Sequence, residues 1–363
     1  MKSYNEILSD VTKTAIKIPQ SDYLDAGKYR IFDQGKEYSV GFSNDEQGVV
    51  TDYPYIIFGD HTRVVKYVDE PCYIGADGVK LLKVINKDFD PRYVYYNILA
   101  KPIESQGYAR HFKFLKEIQF TEKSFSEQQK IAAELDKIQS AIDNKKQQLS
   151  LLDEAVKSEF VEMFGENPVE SGKWKVERLG NLCTITSGGT PDRKNEEYWK
   201  NGTIPWVKTT ELQNNELSIV EEYITEKGLD ESAAKIVPEE TILLAMYGQG
   251  KTRGMTAFLK IQASTNQACA CILPTKSKEL SQRFIWYFLI MNYENIRNLA
   301  VGCNQLNLNS NLVKSIQIPI PPLDLQNQFA AFVQQIDKSK FVVKQQITDL
   351  QELLDSKMQE YFS

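Results

Sequence analysis

Two stretches of the chain space their apolar residues at alternating steps of three and four. Within 127–164 the seam is Ile131, Leu135, Ile138, Ile142, Leu149, Leu152, Val156 and Met163. Within 325–362 it is Phe329, Val333, Ile336, Val343, Ile347, Leu350, Leu354 and Tyr361. Such spacing puts side chains on one face of a long helix. The second stretch lies over the first without a gap at an offset of 198 residues, from Lys145 over Val343 outward. Gln128, Ala132, Ala133, Ile138, Lys146, Gln147, Gln148, Leu152, Glu154, Ser158, Glu162 and Phe164 each recur as the same residue type. No glycine or proline interrupts either seam, and the Gln, Glu, Lys, Ala and Leu between favour helix. Each stretch predicts a helix of about 38 residues, roughly 57 Å long at 1.5 Å per residue. One amphipathic helix alone leaves its stripe in water; two with matched seams bury each other as a coiled coil. Lys145 and Glu159 are mild interruptions of the first seam.

The repeat extends beyond the helices. "FLKEIQF" (114–120) lies over "LVKSIQI" (312–318) at the same offset, and "EILSDV" (6–11) resembles "ERLGNL" (177–182). The plan is therefore domain, helix, domain, helix, with boundaries at 1–124, 125–165, 166–322 and 323–363. The stretches "YPYIIFG", "CYIGA", "TILLAMYG" and "ACACILP" are short, β-branched or aromatic, and bounded by Gly or Pro, which predicts strands. A helical pattern surrounds Arg283 to Leu299. The expected fold class is α+β: two mixed α/β globules separated by two long helices that form an antiparallel coiled coil with a pseudo-twofold internal repeat.

Composition narrows the chemistry. Two or more units suit 363 residues. No apolar run is long enough to span a bilayer, and "MKSYNEILSD" lacks the apolar core of a signal peptide. The five cysteines are scattered and never spaced C-x-x-C, and there are only two histidines. That predicts a reduced, cytoplasmic protein with no metal site. The net charge of −6 argues mildly against nucleic acid, since neutralising phosphates takes Lys and Arg. Basic loops on an acidic body, or contacts supplied by partners, are compatible with it. "AMYGQGKT" (245–252) fits a relaxed P-loop, but a phosphate-binding loop needs a helix directly after it, and the following residues are strand-like. "DYPY" (52–55) has Tyr53 where an amino-methyltransferase strip has proline, and no Glu has Lys two positions later, as a PD…E-x-K nuclease requires. No complete catalytic set is present, so the chain is expected not to be an enzyme.

Three motifs in order resemble one family, the specificity subunits of Type I restriction–modification systems. "SGGTPDRKNEEYWKNGTIPWVKTTEL" (187–212) resembles its G-G-T-P…Y-W…G-x-I-P-W-V opening. "ILLAMYGQGKTRGMTAFLKIQASTNQACACILP" (242–274) resembles its central strand–loop–strand with T-N-Q-A at Thr265 to Ala268, and "IPIPPLDLQNQ" (318–328) its domain-to-helix junction. The likeness is weaker over 1–124, where "FTEKSFSEQQ" lacks the junction prolines and "GADGVKLL" (75–82) replaces the T-N-Q-A region. The resemblance implies target recognition domains that each read one half of a bipartite double-stranded DNA target, with the helices as a ruler for the spacer. It further implies partners: two adenine methyltransferase (modification) subunits and restriction–translocase subunits. S-adenosylmethionine and ATP/Mg are then expected on those partners, with no cofactor in this chain. Half-sites one helical turn apart lie about 34 Å apart, a gap a 57 Å ruler spans.

Direct base readout uses Arg or Lys to guanine and Asn or Gln to adenine. In the second domain the candidates are Gln249, Lys251, Thr252 and Arg253 in "YGQGKTRG", and Lys208, Thr209 and Thr210 in "WVKTTEL". In the first they are Asp60, His61, Thr62, Arg63 and Lys66 in "FGDHTRVVK", with Asp77 and Lys80 as weaker ones. Tyr108, Arg110 and His111 before the helix junction are candidates for phosphate. Either loop could equally be a solvated turn; Asn266 and Gln267 read as structural as readily as base-contacting, and Trp206 as core. The competing functional reading is a coiled-coil interaction scaffold that bridges proteins without reading DNA.

Overall fold

The computed structural model describes residues 1–75, 78–107, 109–248, 250–302 and 307–363, with backbone only at 301–302. The chain forms two compact units, Met1–Leu149 with Val342–Ser363, and Ser150–Phe341.

In the first unit a four-stranded antiparallel sheet runs Leu8–Asp10, Val79–Val84, Tyr55–Gly59, Val65–Val68. A three-stranded sheet runs Gly41–Ser43, Tyr29–Phe32, Cys72–Ile74, the last two parallel. The strand Tyr55–Gly59 is buried along its whole length because alternate side chains enter two cores. Ile56 and Phe58 join the long helices and the helix Pro91–Leu99 on one face. Tyr55 and Ile57 join Phe32, Cys72 and Ile74 on the other. A strand covered on both faces reads as a continuous apolar run rather than an alternation, which is the pattern of "YIIF".

The second unit repeats this wiring. Its larger sheet runs Ile185–Ser187, Cys269–Ile272, Ile242–Ala245, Thr256–Leu259, Asn215–Leu217, and its smaller one Glu222–Ile224, Ile204–Val207, Ser264–Thr265. Ile204–Val207 pairs antiparallel with one neighbour and parallel with the other, as Tyr29–Phe32 does. Ile242 and Leu244 enter the core shared with the long helices, while Leu243 and Ala245 enter the core between the sheets. The helices Gln282–Met291 and Tyr293–Gly302 occupy the span of the helical pattern around Arg283 to Leu299. An added edge strand, Asn215–Leu217, and the helices Glu226–Asp230 and Tyr293–Gly302 contribute to this unit's extra length.

The long helices are Phe125–Phe164 and Leu323–Phe362. The first opens on a capping box: the Glu127 carboxylate accepts from the Ser124 backbone N–H at 3.1 Å and hydroxyl at 2.6 Å. In the first unit, Ile131, Leu135 and Ile142 share a core with Leu354 and Phe362, and half-buried Ile138, Ile347 and Leu350 pack against it. The Tyr361 hydroxyl donates to Glu134 at 2.8 Å, and Lys357 pairs with the same carboxylate at 3.6 Å. In the second unit, Val156, Phe160 and Phe164 share a core with Phe329 and Val333, with half-buried Ile336 against them, and Lys340 pairs with Asp153 at 2.6 Å. The start of each helix thus meets the end of the other, an antiparallel coiled coil. Leu149 and Leu152 are half-buried and Val343 is buried. At the two C-terminal ends the stripe shifts to Phe160, Phe164 and Phe362, with Met163 and Tyr361 only half-buried. A straight helix drifts about 20° per heptad, which moves the inward position by one residue.

Candidate nucleic-acid interface

In the second unit four loops converge at the ends of the strands. The Gly189 N–H donates to the Thr265 carbonyl at 2.8 Å, the Asn266 N–H to Val207 at 3.2 Å, and the Met246 N–H to Ala268 at 2.8 Å. A Cβ on Gly188 would meet the Thr265 carbonyl oxygen at 2.1 Å, so only glycine allows this approach. Trp206 is core, its indole N–H donating to the Gly189 carbonyl at 2.9 Å. Asn266 is structural: its Oδ1 accepts from the Ala268 N–H at 3.1 Å, closing the turn. Gln267 is exposed and accepts from the Thr190 hydroxyl.

The adjacent hairpin between Ile242–Ala245 and Thr256–Leu259 carries Lys251, Thr252 and Arg253. Gly248, Gly250 and Gly254 all have positive φ, which bends the backbone tightly around Lys251. Arg297 braces it, donating to the Gly250 carbonyl at 2.7 Å, and the Tyr293 hydroxyl donates to the Lys251 carbonyl. These bonds use carbonyls, so the Lys251 side chain stays exposed; Thr252 and Arg253 are half-buried. The element that follows is the strand Thr256–Leu259, not a helix, so "GQGKT" has no P-loop geometry. Gln249 lies outside the described residues.

Lys208 is half-buried and held by two carboxylates, Glu221 at 2.7 Å and Glu222 at 2.9 Å. Glu221 and then Glu222 raise its pKa well above that of an ordinary lysine. Burial alone would raise the Glu222 pKa, but hydrogen bonds from Lys208 and Arg193 overcome it and hold the carboxyl below its usual range. A phosphate must therefore compete with both carboxylates for Lys208. Thr209 beside it is half-buried and Thr210 exposed. Glu221→Gln with Glu222→Gln should steepen the logarithmic salt dependence of DNA binding by roughly one phosphate contact. An unchanged slope in that titration would place Lys208 off the DNA.

The first unit's equivalent hairpin joins Tyr55–Gly59 to Val65–Val68. Its loop closes through Gly59 N–H to Val64 at 2.8 Å and Arg63 N–H to Gly59 at 2.7 Å, with Arg63 at φ 64°. Two of the five expected side chains are taken up inside. Asp60 is 4% exposed: its Oδ1 accepts from the Phe112 N–H at 2.8 Å, and its carbonyl accepts the His111 backbone N–H. His111 is wholly buried, its Nδ1 meeting the Asp60 carbonyl at 3.0 Å and its Nε2 accepting the Gln106 N–H at 3.1 Å, so it cannot touch phosphate. Lys66 is 5% exposed and 3.6 Å from Asp33; burial lowers its pKa against the pull of that carboxylate. Arg63 is half-buried and donates to the Ile103 carbonyl at 3.1 Å. His61 and Thr62 remain exposed at the tip, beside Gln34, whose carbonyl accepts from the Thr62 hydroxyl. Lys80 pairs with Asp10 at 3.4 Å, and Arg110 is exposed before the junction. Asp77, Tyr108 and Cys303 lie outside the described residues. Among the described residues no cluster of His, Cys, Asp and Glu could hold a metal, and no helix is long and apolar enough to cross a membrane.

A duplicated α+β unit with polar loops at its strand ends, built on paired antiparallel helices, defines the architecture. A family described as the Type I restriction modification DNA specificity domain matches residues 171–352, and the chain belongs to this family, the specificity subunits of Type I restriction–modification systems. It is 24% identical over 357 residues to the EcoR124I/EcoR124II specificity subunit of Escherichia coli, spanning 91% of this chain and 85% of that one. It is 30% identical over 168 residues to the MjaIX specificity subunit of Methanocaldococcus jannaschii, spanning 45% and 38%. In fold it is similar to the crystal structure of a Type I restriction–modification S subunit from M. genitalium, with TM-score 0.61, 15% identity, and 100% and 95% of the two chains covered.

Proposed function

We propose that the chain is the non-catalytic DNA reader of a Type I restriction–modification complex. Each globule reads one half of a bipartite target, and the paired helices set the unread spacer and offer the docking face for methyltransferase subunits and, through them, restriction–translocase subunits. The observation that carries this is the duplicated wiring: the same sheet connections recur with different loop chemistry, His61 and Thr62 in one and Lys251 and Thr252 in the other, while the helices repeat in one register without a gap. Divergent loops on a preserved frame suit two different half-sites served by one fixed ruler. The acidic body, at net charge −6, has the partners complete the electrostatic clamp. S-adenosylmethionine, ATP and Mg belong to those partners, and the complex acts in the cytoplasm.

The test is base-modification sequencing of cells that make this chain with its neighbouring methyltransferase, against cells lacking the chain. Methylated adenines in one split motif of fixed spacer, present only with the chain, are expected. An unmodified genome despite a stable complex with an active methyltransferase would favour the protein-bridging scaffold instead.

A further inference from the structure

Gln128 and Gln326 occupy the same place in the 198-residue repeat, and both are fully buried, an unusual position for an amide side chain. Their bonds match one for one. Gln128 donates to the carbonyl of Lys123, five residues back, at 2.9 Å and to that of Asp88 at 2.8 Å, and accepts from the Asp90 N–H at 2.9 Å. Gln326 donates to the carbonyl of Pro321, again five residues back, at 2.7 Å and to that of Glu279 at 2.8 Å, and accepts from the Ser281 N–H at 2.8 Å. Asp90 and Ser281 are the N-caps of the globule helices Pro91–Leu99 and Gln282–Met291. Asp88 and Glu279 lie two residues before those caps. Each long helix is thus bolted, in its first turns, to the start of the helix that backs its reading sheet.

Leu or Met would fill the volume, but would leave two backbone carbonyls and one backbone N–H unpaired at each site. What three directional bonds add is a fixed rotation of the long helix about its own axis relative to the globule. A loop about 20 Å from that axis moves about 3.4 Å, one base-pair rise, for a rotation of roughly 10°. We infer that Gln128 and Gln326 are positioning residues that set the spacer register of the DNA target, each for its own half-site; this rests on the reader function proposed above.

The experiment uses the complex with its methyltransferase subunit and DNA duplexes carrying the methylated motif with its native spacer, or one base pair more or fewer. Gln128→Met and Gln326→Met remove all three bonds; Gln128→Asn and Gln326→Asn keep the amide but shorten its reach. Each substitution is expected to leave the bases read in both half-sites unchanged while the preference for the native spacer falls about tenfold, the worth of one to two lost hydrogen bonds. Unaltered spacer preference with only a lower melting temperature, or failure of all four variants to fold, would assign the glutamines to stability and overturn the inference. If the unsubstituted complex reads no split motif, the reader function itself falls, and the inference with it.

Discussion

Phe329→Ala is expected to remove about 3–5 kcal/mol from the stability of the unit that contains it. The ring is 0% exposed and lies edge-on to Phe160, Phe164 and Tyr287, with centroids 5.5, 5.5 and 5.7 Å away. Those partners come from the end of the other long helix and from the helix Gln282–Met291, so one truncation opens a void where three helices meet. Edge-on aromatic pairs add about 0.5–1.5 kcal/mol each beyond the area they bury. With a typical domain stable by only about 5–15 kcal/mol, the loss is a large fraction of the whole. Phe341 lies twelve residues further along the same helix and is 72% exposed, so Phe341→Ala should fall within about 0.5 kcal/mol of the parent. Urea unfolding followed by far-ultraviolet circular dichroism compares the two. Equal midpoints for both variants would contradict the packing described for the coiled coil.

That contrast shows what the sequence could and could not say. The seams were legible because a coiled coil writes its contacts into the local period: Leu135, Ile142 and Val333 are buried where the three-four spacing puts them. The period carries no account of how each helix meets its globule, so Phe160 and Phe164 fell outside the seam. The strands were legible as apolar runs, but the division of Ile242 and Leu244 from Leu243 and Ala245 between two cores was not. Polar residues were hardest. Asp60 and Lys66 sit beside a hairpin and look solvated, yet their partners are Phe112, 52 residues away, and Asp33. The carboxylates that grip Lys208 arrive from the neighbouring strand Glu222–Ile224 and the residue before it. The Gln128–Gln326 identity was visible in the repeat, but nothing local marks an amide as buried.

Within the loops, the burial pattern directs the decisive specificity test. Arg63 and Lys66 are engaged within the fold, which leaves His61 and Thr62 as the exposed tip of the first hairpin, while Lys251 and Thr252 lie between the positive-φ glycines of the second. His61→Ala with Thr62→Ala is expected to weaken recognition of one half-site only, and Lys251→Ala with Thr252→Ala the other. A lost base contact is worth about 1–3 kcal/mol, or roughly 5- to 150-fold in discrimination at that position. Arg297→Met tests the brace behind the loop: it releases the Gly250 carbonyl, so it should relax the same half-site as the Lys251 pair through loss of loop order. Binding to duplexes with each half-site scrambled in turn reads all three. A uniform loss across every sequence would make Lys251 a phosphate contact, and no loss from either pair would remove these hairpins from the DNA interface. Loss confined to opposite half-sites would tie each hairpin to its own half of the target, because the two units share their wiring and differ in the side chains at these tips.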